Sequence, residues 1–178
     1  MKIFTTLVLL VLLAPPAHAQ TPITEEMALK YYDNCLANAA KEGTMSEKSR
    51  ENYCFCTANQ MKNNMTQEDL KTMSGEDPQA ARATVNKVLI DVNTPCTQYP
   101  LHDLVYNECM SKVKSTAVCA CLSQNISGYI ATREQQMMAD ILKKNPNIYD
   151  PLGAIMETDE YKRTEKSIMA SCISNPKY

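Results

Sequence analysis

The sequence predicts an all-α fold: two tandem, disulfide-stapled repeats of about four short helices each, packed as a helical array. Three observations lead there. The eight cysteines fall into two matching sets of four. Apolar residues recur at helical spacing between good caps and breakers. No segment alternates apolar and polar residues convincingly enough for a sheet.

The first cysteine set is Cys35, then Cys54-Phe55-Cys56, then Cys96; the second is Cys109, then Cys119-Ala120-Cys121, then Cys172. The neighbours echo too. Tyr32-x-x-Cys35 answers Tyr106-x-x-Cys109, Leu36 answers Met110, and Ala39 answers Val113. Thr66-Gln-Glu-Asp69 and Thr132-Arg-Glu-Gln135 have capping-box spacing and begin 10 and 11 residues past the Cys-x-Cys. Such an ordered echo implies one stapled helical unit used twice.

Residues 1–19 read as a signal peptide: Lys2, an apolar run from Ile3 to Ala14, then Ala17-His18-Ala19 as a small-x-small cleavage site. The run is too short to span a membrane, which needs about 20 apolar residues, and Pro15-Pro16 breaks it. Export to the periplasm or beyond follows, with no membrane span in the mature chain. Repeat 1 then covers 20–99 and repeat 2 covers 100–178.

In repeat 1, Thr24 caps a helix carrying Glu25 and Glu26 in its first turn, where the helix dipole favours acids, and Gly43 ends it. Ser46 caps a second helix with Cys54, Ala58, Met61 and Met65 at helical spacing. Thr66 opens a short third helix ending at Ser74-Gly75. Asp77-Pro78 starts the fourth, whose apolar stripe is Val85, Val88, Leu89 and Val92, and Pro95 ends it at Cys96.

Pro100 is read as the separator of the repeats. Repeat 2 continues with a helix over Leu104, Val105, Cys109, Met110 and Val113, and a second with Cys119, Leu122, Ile126 and Ile130. A third starts at Thr132 with Met137, Met138, Ile141 and Leu142. The span from threonine to last cysteine is 40 residues here against 30 in repeat 1, and a Pro/Asn loop at about 145–153 accounts for the insertion. A last helix from about Thr158 brings Tyr161, Ile168 and Cys172 to one side.

In an oxidising compartment all eight cysteines, Cys35, Cys54, Cys56, Cys96, Cys109, Cys119, Cys121 and Cys172, are expected in disulfides within their own repeat. Residues two apart on a helix are rotated by about 200°, so neither Cys-x-Cys should bond to itself. Each second helix is instead stapled to two neighbours. Which cysteine of each pair meets Cys35 or Cys109 stays open. Zinc spacing, haem attachment, a Gly-x-Ser-x-Gly elbow and a His-Glu-x-x-His are all missing from the chain.

The mature chain carries 17 basic and 20 acidic residues, a formal charge of −3, with no basic stripe for nucleic acid. It has no Trp and one Phe, so the core is expected to come from Leu, Ile, Val, Met, Ala and Tyr, with disulfides making up for thin aromatic packing. His102 is its one histidine; a serine–histidine–acid triad would have to use it, and a surface or capping role is the expectation. The acid pairs Glu25-Glu26, Glu68-Asp69 and Asp159-Glu160 are explained by first-turn positions. Met61, Met65, Met137 and Met138 are candidate copper thioethers, but core packing or an adaptable binding face is the plainer reading.

No catalytic, cofactor or metal residue is assigned. The favoured function is a non-enzymatic disulfide-stabilised scaffold or interaction module for a protein partner. The alternative is a thiol–disulfide oxidoreductase using a Cys-x-Cys, with the Cys119 pair favoured because Thr116 lies close before it. Copper binding by Met and Cys ranks third.

Overall fold

In the computed structural model, which describes residues 20–176, the chain is all-helical. The segment read as a signal peptide lies outside the described residues. Among those residues no helix is long and apolar enough to cross a membrane, and the one β contact is an isolated bridge between Pro22 and Thr66.

The caps read from sequence work as hydrogen-bond acceptors. Helix α1 (Glu25–Glu42) is capped by Thr24, and Gly43 ends it at φ 65°, a left-handed conformation that favours glycine. Helix α2 (Glu47–Asn64) is capped by Ser46. In α3 (Gln67–Met73) the Thr66 hydroxyl and Asp69 carboxylate satisfy each other's backbone N–H, and Asp69 also accepts from Lys87 of the next helix at 2.7 Å. Helix α4 (Pro78–Val88) has Asp77 as its cap and proline in its first turn.

The chain does not stop after α4. A π turn, Leu89–Asn93, and a 3-10 turn, Thr94–Cys96, carry it into α5 (Gln98–Lys112). Pro100 therefore lies in the first turn of α5 and does not mark a break: a first-turn residue has no intrahelical partner for its N–H, so proline is tolerated there. The wide turn matters for packing. Val88 and Val92 join a small core with Ile23, Ala28, Met61 and Met65, whereas Leu89 and Ile90 pack against the larger core of the second half. One short segment thus belongs to both cores.

Helix α6 (Thr116–Lys144) runs for 29 residues, about 44 Å at 1.5 Å per residue. No helix starts at Thr132. Its hydroxyl back-bonds to the Tyr129 carbonyl at 2.8 Å, and the residues before it offer no proline or turn to interrupt the ladder, which carries Gly128 in its interior. In α2, by contrast, Asn63-Asn64 lead to an extended Met65 that ends the helix. The Pro/Asn loop is also shorter than its sequence suggested. It closes at Asp150, which caps α7 (Pro151–Met156) by accepting from Gly153 N–H at 2.8 Å. A Cβ at Gly153 would collide with the Asp150 carboxylate and displace the cap. Helix α8 (Asp159–Ser174), capped by Thr158, completes the chain.

Candidate functional site

The cysteines were the strongest site signal, and the helices bring them together pairwise. Cys35 of α1 bonds Cys54 of α2, and Cys56 of α2 bonds Cys96 of the 3-10 turn. Cys109 of α5 bonds Cys119 of α6, and Cys121 of α6 bonds Cys172 of α8. In each set the first cysteine takes the nearer member of the Cys-x-Cys and the last takes the farther. No cysteine is free. The four loops follow one another along the chain without overlap or nesting.

A redox role needs an attackable sulfur. Cys119, the fourth residue of α6, is wholly buried, and Cys121 is only 4% exposed. Cys54, Cys96 and Cys172 are buried as well. Half-buried Cys35 and Cys56 are the most open, so accessibility favours the first set, not the Cys119 pair that helix-terminus reasoning singled out.

His102 lies at the surface with its side chain 40% exposed, but it caps no helix and is held by its neighbours. Its Nδ1 lies 3.1 Å from Asp103 Oδ1, its Nε2 lies 3.1 Å from the Ser123 hydroxyl, and its ring stacks on Tyr106 with centroids 6.4 Å apart. Asp103 Oδ2 accepts the Ser46 N–H at 2.6 Å, which fastens α5 to the start of α2. Burial raises the Asp103 pKa, but hydrogen bonds led by the Ser46 N–H, with His102, outweigh it and hold the carboxylate below its usual range.

Serine, histidine and aspartate in line resemble a hydrolytic triad, but two features oppose that chemistry. Ser123 is completely buried, so a substrate carbonyl cannot reach its oxygen. It also lies mid-helix, where neighbouring N–H groups are spent in the ladder and are not free to form an oxyanion hole. The chain of contacts works instead as a polar clasp between α2, α5 and α6.

The thioethers are core residues. Met61 and Met65 belong to the smaller apolar cluster, Met138 to the larger, and Met137 packs against it. Among the described residues no group of three or more His, Cys, Asp or Glu side chains is arranged to hold a metal ion.

One buried acid escaped the sequence reading. Leu122, Ile126, Ile130, Met138 and Leu142 run at four-residue intervals along α6, and Glu134 fills the missing place. It is 1% exposed, and neither carboxylate oxygen has a hydrogen-bond partner among the described residues. Burial pushes its pKa from 4.5 to about 8. Thr97 opposes that rise, although its hydroxyl donates to the Asn93 carbonyl and forms no bond to the acid. Glu134 in turn helps burial and Tyr31 push the Tyr53 phenol up to about 12.

No family model matches the chain, and no curated protein or solved structure is significantly similar to it.

Proposed function

We propose that the chain is an exported, non-enzymatic scaffold of two disulfide-stapled helical units, 20–99 and 100–178, which presents helix faces and the Asn145–Asp150 loop to a protein partner. The observation that supports it is the staple pattern: the same pairing order in both cysteine sets, with most of the sulfur out of reach of solvent. A closed, buried disulfide holds helices in register and does not exchange. Exposed apolar groups supply the contact surface. Phe55, between two bonded cysteines, is 63% exposed, and Tyr149 at the tip of the loop is fully exposed. Aromatic side chains held on a rigid frame give large contact area at little entropic cost.

Titration of the mature protein in glutathione buffers, followed by alkylation and mass measurement, tests the scaffold against the oxidoreductase. All four bonds should stay closed to potentials below about −300 mV, as structural disulfides do. A bond that opens near the potentials of known oxidants, with its sulfurs alkylated first, would make the chain a redox protein.

A further inference from the structure

Gln20 stands directly after Ala17-His18-Ala19, where the signal peptide is read to end. Cleavage after Ala19 gives Gln20 a free α-amine. Its own side chain ends in a carboxamide, and a glutamine side chain has the length at which an α-amine closes a five-membered ring on that carbon.

The fold leaves both reacting groups in the open. Gln20 is exposed and belongs to no helix. Fastening begins one residue later. Thr21 donates its N–H to Glu68 Oε2 at 2.9 Å and its hydroxyl to Glu68 Oε1 at 2.8 Å. The Thr21 carbonyl accepts from the Gln67 N–H at 2.9 Å, and the Pro22 carbonyl accepts from the Gln67 side chain at 3.2 Å. Pro22 also bridges to Thr66, and Ile23 enters the smaller core. The end of the mature chain is thus one exposed glutamine, held at the start of α3 by its neighbour.

That anchorage does not oppose ring closure. The ring joins the Gln20 nitrogen to its own Cδ and leaves the Thr21 amide N–H as it was, so both bonds to Glu68 survive. Glu68 is exposed as well, so its attraction for a Gln20 ammonium is weak in water. An ordinary α-amine ionises near 8, which leaves about a tenth of it as the neutral nucleophile at pH 7. Attack within one residue also avoids the entropic cost of bringing two molecules together.

We propose that Gln20 is a modification site, at which the mature N-terminus closes to a pyroglutamyl lactam. The Gln20 Nα attacks Cδ: the N–Cδ bond forms and the Cδ–Nε bond breaks. One amine proton passes to the departing nitrogen, which leaves as ammonia. No co-reactant enters. The product has lost the charge of the amine and the free amine that aminopeptidases recognise, so the end fastened to α3 is sealed. The proposal rests on the exported reading, because cleavage after Ala19 is what frees this amine.

The full chain, expressed in a host that exports it, tests this by intact mass and N-terminal sequencing. The mature protein should start at Gln20 and be lighter by one ammonia. Sequencing should be blocked until pyroglutamyl aminopeptidase removes the ring and exposes Thr21. Freshly matured protein held at pH 8 should lose its free amine at a first-order rate independent of protein concentration, as an intramolecular step requires. Gln20→Asn has too short a side chain for the same ring; it should keep a free amine, with the helical circular dichroism unchanged. A mature chain that starts at Gln20 and still has its amine after prolonged incubation at pH 8 would overturn the proposal and leave the exported reading standing. A start at another residue, or no processing, would overturn both.

Discussion

Glu134 gives the most quantitative prediction. A carboxyl group in the unfolded chain ionises near 4.5, whereas in the fold Glu134 holds its proton up to about pH 8. The folded state therefore binds one more proton than the unfolded state across that window. Stability must fall as pH rises through it, by about 1.4 kcal/mol per unit, the reverse of the usual behaviour of a paired carboxylate. Over the whole window the loss is on the order of 5 kcal/mol, and at pH 7 it is about 3 kcal/mol. Above pH 8 both states are ionised and the slope vanishes. The groups facing the acid from neighbouring elements are Tyr53 of α2 and Thr97 at the start of α5, and neither supplies a positive charge to reverse the sign. Glu134→Met completes the apolar run between Ile130 and Met138 and removes the titration. It should stabilise the protein by about 3 kcal/mol more at pH 7 than at pH 4.5, in addition to a pH-independent gain from removing an unpartnered buried carboxyl. Urea unfolding at unit pH intervals from 5 to 9, at constant ionic strength and with disulfides intact, measures the difference between the two proteins. Curves that run parallel over that range would show that Glu134 is solvated or paired, and the reasoning would fail.

Other perturbations follow from the staples, the turn and the clasp. In the loop-entropy picture, replacing Cys121 and Cys172, which close a separation of 51, should cost about 4 kcal/mol, against about 3 kcal/mol for Cys109 and Cys119, which close a separation of 10; chemical denaturation should return that order, and a reversed order would show that strain or residual structure governs. Lys114, at φ 57° between α5 and α6, is in the left-handed region without being glycine, so Lys114→Gly should raise stability by roughly 0.5–1 kcal/mol, read as an increase in melting temperature. His102→Ala leaves the Ser123 hydroxyl with only the Ala120 carbonyl and strips a partner from Asp103; it should destabilise by about 1–2 kcal/mol in urea unfolding, while esterase assays on the wild type should give no turnover.

The parts of the fold legible in the sequence were those decided locally. Thr24, Ser46, Thr66, Asp77 and Thr158 cap helices because a short side-chain oxygen one residue ahead of a helix meets an N–H two or three residues on, a contact that needs no tertiary context. Thr132 shows the limit. It has the same spacing to Gln135 as Thr66 has to Asp69, but a cap forms only where the preceding residue can leave helical geometry. The continuous packing of α6 from Ile126 to Leu142 holds that stretch helical. Pro100 shows the converse, since a residue that breaks a helix in its middle is harmless in its first turn.

Glu134 and Tyr161 were illegible for a different reason. A glutamate at helical spacing reads as a solvated face until the helix is known to be unbroken; assuming a start at Thr132 severed the four-residue rhythm that places the acid in the core. With Leu122, Ile126, Ile130, Met138 and Leu142 on one stripe, the intruding carboxyl is plain. For Tyr161 no pattern would have served, because its orphan hydroxyl depends on α5 and α8 meeting across a gap that neither helix encodes alone. The two differ in consequence. An acid packed inside one core costs stability and responds to pH, whereas a buried phenol held near 12 stays neutral at ordinary pH and only its unmade hydrogen bond counts. That difference in titration, more than any difference in burial, is why the pH dependence of folding is assigned to Glu134 and not to Tyr161.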